Sequence, residues 1–348
     1  MTGAFDGLVA RTLALRGLIA GLAVAVATLT LIGGAKAQVD WDYEEVVGPK
    51  ECAECHKVAT AIWRNTTHYG TYTELPRTKE AIEIARKMGL RRIKDDSLCL
   101  DCHFTTVIND EGERDAVAGI SCESCHAEAK GWLKVHSEFS GKKEEQETEA
   151  EEAERWAKSE AAGMIRPHML YKVAKNCYSC HVVPQEKLVN VGGHTAGSKF
   201  EFVAWSQGEI RHNVWYNEGE SNPQADQDTK RLMFVVGMAV ELETALRGVA
   251  KATEKADYAV TMAKRAAIAR KRFGQATEIL GNPPEMVEIV KAAKGAGLKL
   301  NNEAELTAAA DKIGAATQKI VDNYDGSEFG AIDRALPDES EYKGEPER

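Results

Sequence analysis

Four times the chain writes Cys-x-x-Cys-His: Cys52–Cys55–His56, Cys99–Cys102–His103, Cys122–Cys125–His126 and Cys177–Cys180–His181. These motifs use all eight cysteines. Two thiols at this spacing can each add to one vinyl group on the same edge of a porphyrin. The histidine that follows reaches under the ring and offers iron a proximal nitrogen. Four covalently attached c-type haems are therefore expected. CxxC pairs also clamp structural zinc or build disulfide frameworks, but neither chemistry calls for a histidine after every pair.

Five histidines remain outside the motifs: His68, His136, His168, His194 and His212. Each iron needs a sixth ligand or a reason to lack one, and all nine histidines fall before residue 226. That confinement makes the five candidates for distal ligation. A lone histidine elsewhere is ordinarily a surface or hydrogen-bonding residue. Two stretches repeat one arrangement: His56, Trp63, His68 and His126, Trp132, His136. The tryptophans suit porphyrin contact or ordinary core packing. In a helix, His56 and His68 would lie about 18 Å apart along the axis at a rise of about 1.5 Å per residue, so they cannot face across one iron. His68 and His136 are thus expected to serve haems outside their own motifs. Met88, Met164 and Met169 suit core packing better than ligation.

Export is expected from the first residues. Arg11 and Arg16 precede an uncharged run of 16 residues from Gly17 to Ile32, and Ala35-Lys36-Ala37 offers a small-x-small cleavage site. The run falls short of the ~20 residues of a membrane-spanning helix. A cleaved signal peptide, 1–37, is therefore favoured over an uncleaved anchor, and the periplasm is the expected compartment. Lys and Arg number 44 against 54 Asp and Glu, a formal charge of −10. Such a balance argues against nucleic acid or an anionic membrane surface. It suits a redox partner with a basic patch, or simply keeps an exported protein soluble.

The elements that position the motifs divide in sequence near residue 225. Residues 38–225 are expected to form a mainly α, multihaem cytochrome c domain with few strands, loops and short helices wrapped around the cofactors. About 46 residues of chain per motif are too few to enclose each porphyrin separately, so the haems must supply much of the apolar core. The acidic run from Glu144 to Glu154 is expected to be a solvated helix or mobile loop. Residues 226–325 are expected to form a helical hairpin or bundle. Leu232, Val235, Ala239, Leu242, Leu246, Val249, Thr253, Ala256, Val260, Ala263 and Ala267 make one long heptad-like seam. Gly281-Asn282-Pro283-Pro284 ends it, and further helices are expected at about 284–294 and around Leu306–Ile320. The seam could also pair two copies into a homo-oligomer. Residues 326–348 read as a disordered tail.

Cys52-Ala-Glu-Cys55-His56 with Trp63-Arg-Asn-Thr-Thr-His68, and Gly119-Ile-Ser-Cys122-Glu-Ser-Cys125-His126 with His136 after it, resemble the cytochrome c-554 family. Its members are tetrahaem carriers that accept electrons from hydroxylamine oxidoreductase in nitrifying bacteria. The order and rough spacing of the motifs also match, over about residues 48–215. The resemblance implies that His136 serves the first haem and His68 the fourth. It implies that a histidine after the last motif, His194 or His212, serves the third, and that the second haem is five-coordinate. Here His168, His194 and His212 are all present, so a sixth ligand for the second haem is available. The leading expectation is a periplasmic electron carrier without substrate chemistry of its own, exchanging electrons with periplasmic or membrane redox proteins. The rivals are a haem enzyme acting on a small nitrogen or sulfur compound at an open second haem, and a scaffold subunit assembled through the C-terminal helices.

Overall fold

The computed structural model describes residues 41–345 apart from Asp96. The export segment expected at 1–37 lies outside these residues. The fold is mainly helical, with two strands among the described residues. Short helices carry the motifs. They are α1 (Pro49–Ala53), α2 (Lys57–Trp63), α3 (Thr67–Gly70), α4 (Lys79–Lys87) and α5 (Leu100–His103), then α6 (Cys122–His126), α7 (Leu133–Ser137), α8 (Glu149–Ala161), α9 (Leu170–His181), α10 (Glu186–Asn190) and α11 (Phe202–Ser206). Each motif lies in or beside a helical turn, which puts cysteines i and i+3 on one face.

A hairpin joins the second motif to the third. Strands β1 (Thr105–Ile108) and β2 (Arg114–Ala118) pair antiparallel, with Thr106 opposite Ala116 and an irregularity between Thr105 and Thr106. The Thr105 hydroxyl donates to the Gly119 carbonyl at 2.8 Å, closing the hairpin just before α6. Gly119 is required by proximity: a Cβ there would lie 2.3 Å from the His68 carbonyl oxygen and 2.8 Å from that of Tyr69. The end of β2 thus seats directly on the backbone of α3, which carries His68.

Before residue 166 the buried side chains gather in two small clusters, one around Leu100 and Phe104 and one around Trp132 and Met164. The large core lies further on. It runs without interruption from Leu170 in α9 through Phe202 to Ile332. The sequence boundary near 225 therefore marks a change of composition, while the packing is continuous across it.

The C-terminal helices are α12 (Gln227–Lys251), α13 (Asp257–Ile279), α14 (Pro284–Gly295) and α15 (Glu303–Asn323). Helix α12 is central and packs on α9, α11, α13 and α15. Two expectations need correction here. The long seam is two helices, not one, broken at Ala252–Ala256. The break resets the phase. Leu232, Val235, Ala239, Leu242, Leu246 and Val249 are buried, but in α13 the buried face is Tyr258, Ala259, Met262, Ala266, Ala269 and Phe273, and Val260 and Ala267 are exposed. The break is made by α10: Thr253 donates through its N–H and hydroxyl to Glu186 (2.9 and 2.6 Å to Oε2), and the Tyr258 N–H donates to Asn190 Oδ1 at 2.9 Å.

The second correction concerns the tail. Residues Ser327–Ala335 form a 3-10 segment whose Phe329 and Ile332 are buried against α12. Arg231 of α12 forks onto Asp333 at 2.6 and 2.8 Å. The Lys343 N–H donates to the Ala204 carbonyl at 3.0 Å, and the Lys343 carbonyl accepts from Glu209 at 2.8 Å. Two apolar residues three apart, anchored by an ion pair, suffice to dock a segment that reads as polar. Among the described residues no helix is long and apolar enough to cross a membrane.

Candidate haem-binding site

Each motif histidine faces one histidine from elsewhere. His56 and His136 rings lie 6.0 Å apart between centroids, His181 and His68 6.3 Å, His103 and His194 6.2 Å, and His126 and His212 6.2 Å. Metal–imidazole bonds of about 2 Å, with each nitrogen about 1.2 Å from its ring centre, put two axial imidazoles on one metal about 6.4 Å apart. The four separations all lie close to that value. The interplanar angles run from 11° to 85°, as suits rings each free to turn about the axis that joins them through a metal.

Two imidazoles are too few for zinc, which takes four donors in a tetrahedron. Among the described residues no three His, Cys, Asp or Glu converge as a cation cage. An axial pair instead leaves the four equatorial positions to another donor, which is what a porphyrin provides. All eight cysteines are free thiols. The Cys52 thiol lies close enough to Cys122 to raise its pKa, and the Cys102 thiol close enough to Cys180, so the first motif neighbours the third and the second neighbours the fourth. Burial pushes the Cys125 thiol up to about 12, which disfavours thiolate redox chemistry at that residue. The residues present fit four haems.

The second nitrogen is held in four of these eight rings. His126 Nδ1 donates to the Ile165 carbonyl at 2.8 Å, His194 Nδ1 to Thr195 at 2.7 Å and His212 Nδ1 to Ile210 at 2.7 Å. His181 Nδ1 lies 2.9 Å from the Ser198 hydroxyl. A carbonyl only accepts, so Nδ1 carries the proton and Nε2 keeps its lone pair for a metal. Burial is the first cause that holds His103, His126, His136 and His181 down to about 4; neighbouring His194, His212, Arg166 and His68 respectively come next. Neutral imidazole is the ligating form.

His68 stands on α3, whose first turn is capped by Thr66 accepting from the Tyr69 N–H. The Thr71 hydroxyl lies 2.8 Å from the carbonyls of both His68 and His103, tying the turn of His68 to the second motif. His136 stands on α7, where its carbonyl accepts from Arg155 of α8 at 3.0 Å. Arg155 in turn forks onto Glu147. Glu147 is 4 % exposed at its side chain, so the acidic run is not uniformly solvated: one of its carboxylates is buried to hold the arginine that positions His136.

His168 is not brought to any motif histidine. It lies half-exposed, stacked on Trp156, with Nε2 3.7 Å from Glu160. Trp132 meets His136 edge-on at 5.7 Å, while the Trp63 indole N–H donates to the Ile120 carbonyl at 2.8 Å. Met164 packs with Trp132 and Ala129.

The motif interiors also carry structural work that their spacing conceals. Buried Glu123, inside the third motif, accepts from the N–H groups of Val47 (3.0 Å), Gly48 (2.7 Å) and Ala129 (2.8 Å). Asp101, inside the second, accepts from the Tyr43 hydroxyl at 2.8 Å and from Arg114 at 2.6 Å. An acidic residue between the paired cysteines is the one sequence signal for these anchors.

Residues 51–127, which span the first three motifs, match the family model described as cytochrome c554 and c-prime. No curated protein and no solved structure matches the chain. Haem, a c-type attachment and electron transport are the properties this similarity supports.

Proposed function

We propose that the chain is a periplasmic tetrahaem electron carrier. In this reading Cys52/Cys55, Cys99/Cys102, Cys122/Cys125 and Cys177/Cys180 bind the four groups. His56, His103, His126 and His181 are the proximal ligands, and His136, His194, His212 and His68 respectively are the distal ones. Bound haem supplies reversible one-electron exchange at iron; the protein supplies ligation, spacing and exposure. The observation that carries the reading is the set of four histidine pairs, each made of one motif histidine and one other, at 6.0–6.3 Å.

His194 opposite His103 weighs against an open second site and so against the enzyme reading. Paired imidazoles on every iron favour low potentials and low reactivity toward added ligands. The buried seam of α12 is used within the chain, which weighs against assembly through that helix as the main role. The excess of acidic side chains suits a donor or acceptor that presents a basic patch.

Intact mass of protein made with a haem-attachment system tests this. Four covalent haems on a chain cut after Ala37 are expected. An apoprotein mass, or zinc in place of iron, would remove the basis of the proposal.

A further inference from the structure

The C-terminal bundle reaches the back of the fourth motif. His181 Nδ1 lies 2.9 Å from the Ser198 hydroxyl, and the Ser198 N–H donates to the His181 carbonyl at 3.0 Å. Arg265 of α13 donates through Nη1 to the Ser198 carbonyl at 2.9 Å. Its Nη2 lies 3.0 Å from Glu241 Oε1 on α12, both side chains being about 15 % exposed or less. Gly197 makes the approach possible. It lies at φ +154°, and a Cβ there would sit 2.9 Å from Arg265 Nη1 and 2.8 Å from the His181 carbonyl oxygen.

We infer that Arg265 and Glu241 are positioning residues that set the potential of the fourth haem through Ser198. The inference rests on the tetrahaem reading above. The chain of contacts has the order His181, Ser198, Arg265, Glu241, so the cation is one link nearer the iron than its counter-charge. Oxidation leaves an additional positive charge at iron, which a nearby guanidinium disfavours and a carboxylate favours. The guanidinium also fixes the loop that presents the Ser198 hydroxyl to the proximal imidazole, and partners of this kind tune the ligand's basicity. Among the described residues the other three motif histidines have no charged side chain of the bundle in an equivalent place among their hydrogen-bond partners. The bundle, which lies outside the matched family segment, thereby acquires a redox role.

The test is a spectroelectrochemical titration of the full-length holoprotein, wild type against Arg265→Gln and Glu241→Gln. Arg265→Gln removes the charge while keeping a polar side chain at the position, and Glu241→Gln removes the counter-charge without touching the bond to Ser198. The expected result is one midpoint potential shifted down in Arg265→Gln and the same one shifted up in Glu241→Gln, with three unmoved. The affected centre is identified as the one altered in His68→Ala. Unchanged potentials in both variants, or shifts of the same sign spread over all four centres, would overturn the inference. Fewer than four covalent haems in the wild type would instead strike the tetrahaem reading, so the two failures are distinguishable.

Discussion

An imidazole that holds iron presents one nitrogen and commonly has the other fixed. His126, His194 and His212 meet both conditions through backbone carbonyls, and His181 through Ser198. His168 faces no motif histidine: its Nε2 turns toward Glu160 and its ring lies on Trp156. Alanine at His68 or His136 is therefore expected to leave the covalent haem count unchanged while one iron in four leaves the low-spin state. Alanine at His168 is expected to leave the visible and magnetic spectra as they are. An altered spectrum in His168→Ala alone would reverse the assignment. The five spare donors were legible in the sequence by confinement and by count. The resemblance paired His136 with the first haem and His68 with the fourth, but the choice among His168, His194 and His212 was not legible, because donor counting carries no geometry: His194 lies on a loop whose course depends on glycines 192, 193 and 197 and on packing against α4 and α13. Glu123 offers a stability test at the same scale. Its replacement by alanine strands three N–H groups, and about 2 kcal/mol or more of stability should be lost. A thermal unfolding midpoint equal to that of the wild type would show that water replaces the carboxylate without cost.

At the scale of elements, local signals placed helices well where their caps are local and failed where the caps come from afar. Asp226 accepts from the Thr229 N–H and starts α12; Thr148 and Glu151 cap α8 reciprocally. The stop near Asn282 and the helix at Pro284–Gly295 are equally local. The break at Ala252–Ala256 depends on Glu186 and Asn190, more than sixty residues earlier, and a continuous apolar rhythm masks it. The tail is hidden for a related reason: Phe329 and Ile332 carry too little pattern to announce a docking site formed by α12. These long-range contacts make α9–α11 and the bundle one core. A chain ending at residue 225 would expose the faces of Leu170, Ala174, Phe202 and Val203 that α12 covers. Such a chain is expected to aggregate or to lose the fourth haem selectively, because α9 carries both that core face and the Cys177–Cys180 motif. A soluble truncated protein with four haems and unchanged potentials would show that the bundle is dispensable.

Across the whole molecule, cross-pairing is the organising device. The first motif takes a histidine from beyond the third, the fourth takes one from just after the first, and the second and third take theirs from beyond the fourth. Residues 41–165 contribute little apolar core of their own, so four porphyrins and their axial pairs would complete it and lock distant segments together. A tetrahaem carrier of this design requires all four irons to be closed by paired imidazoles. Electron paramagnetic resonance of the fully oxidised protein, with and without cyanide, measures this most directly. Low-spin signals integrating to four irons per chain and indifferent to cyanide are predicted. A high-spin ferric signal from about a quarter of the iron, abolished by cyanide, would contradict it by showing an open site.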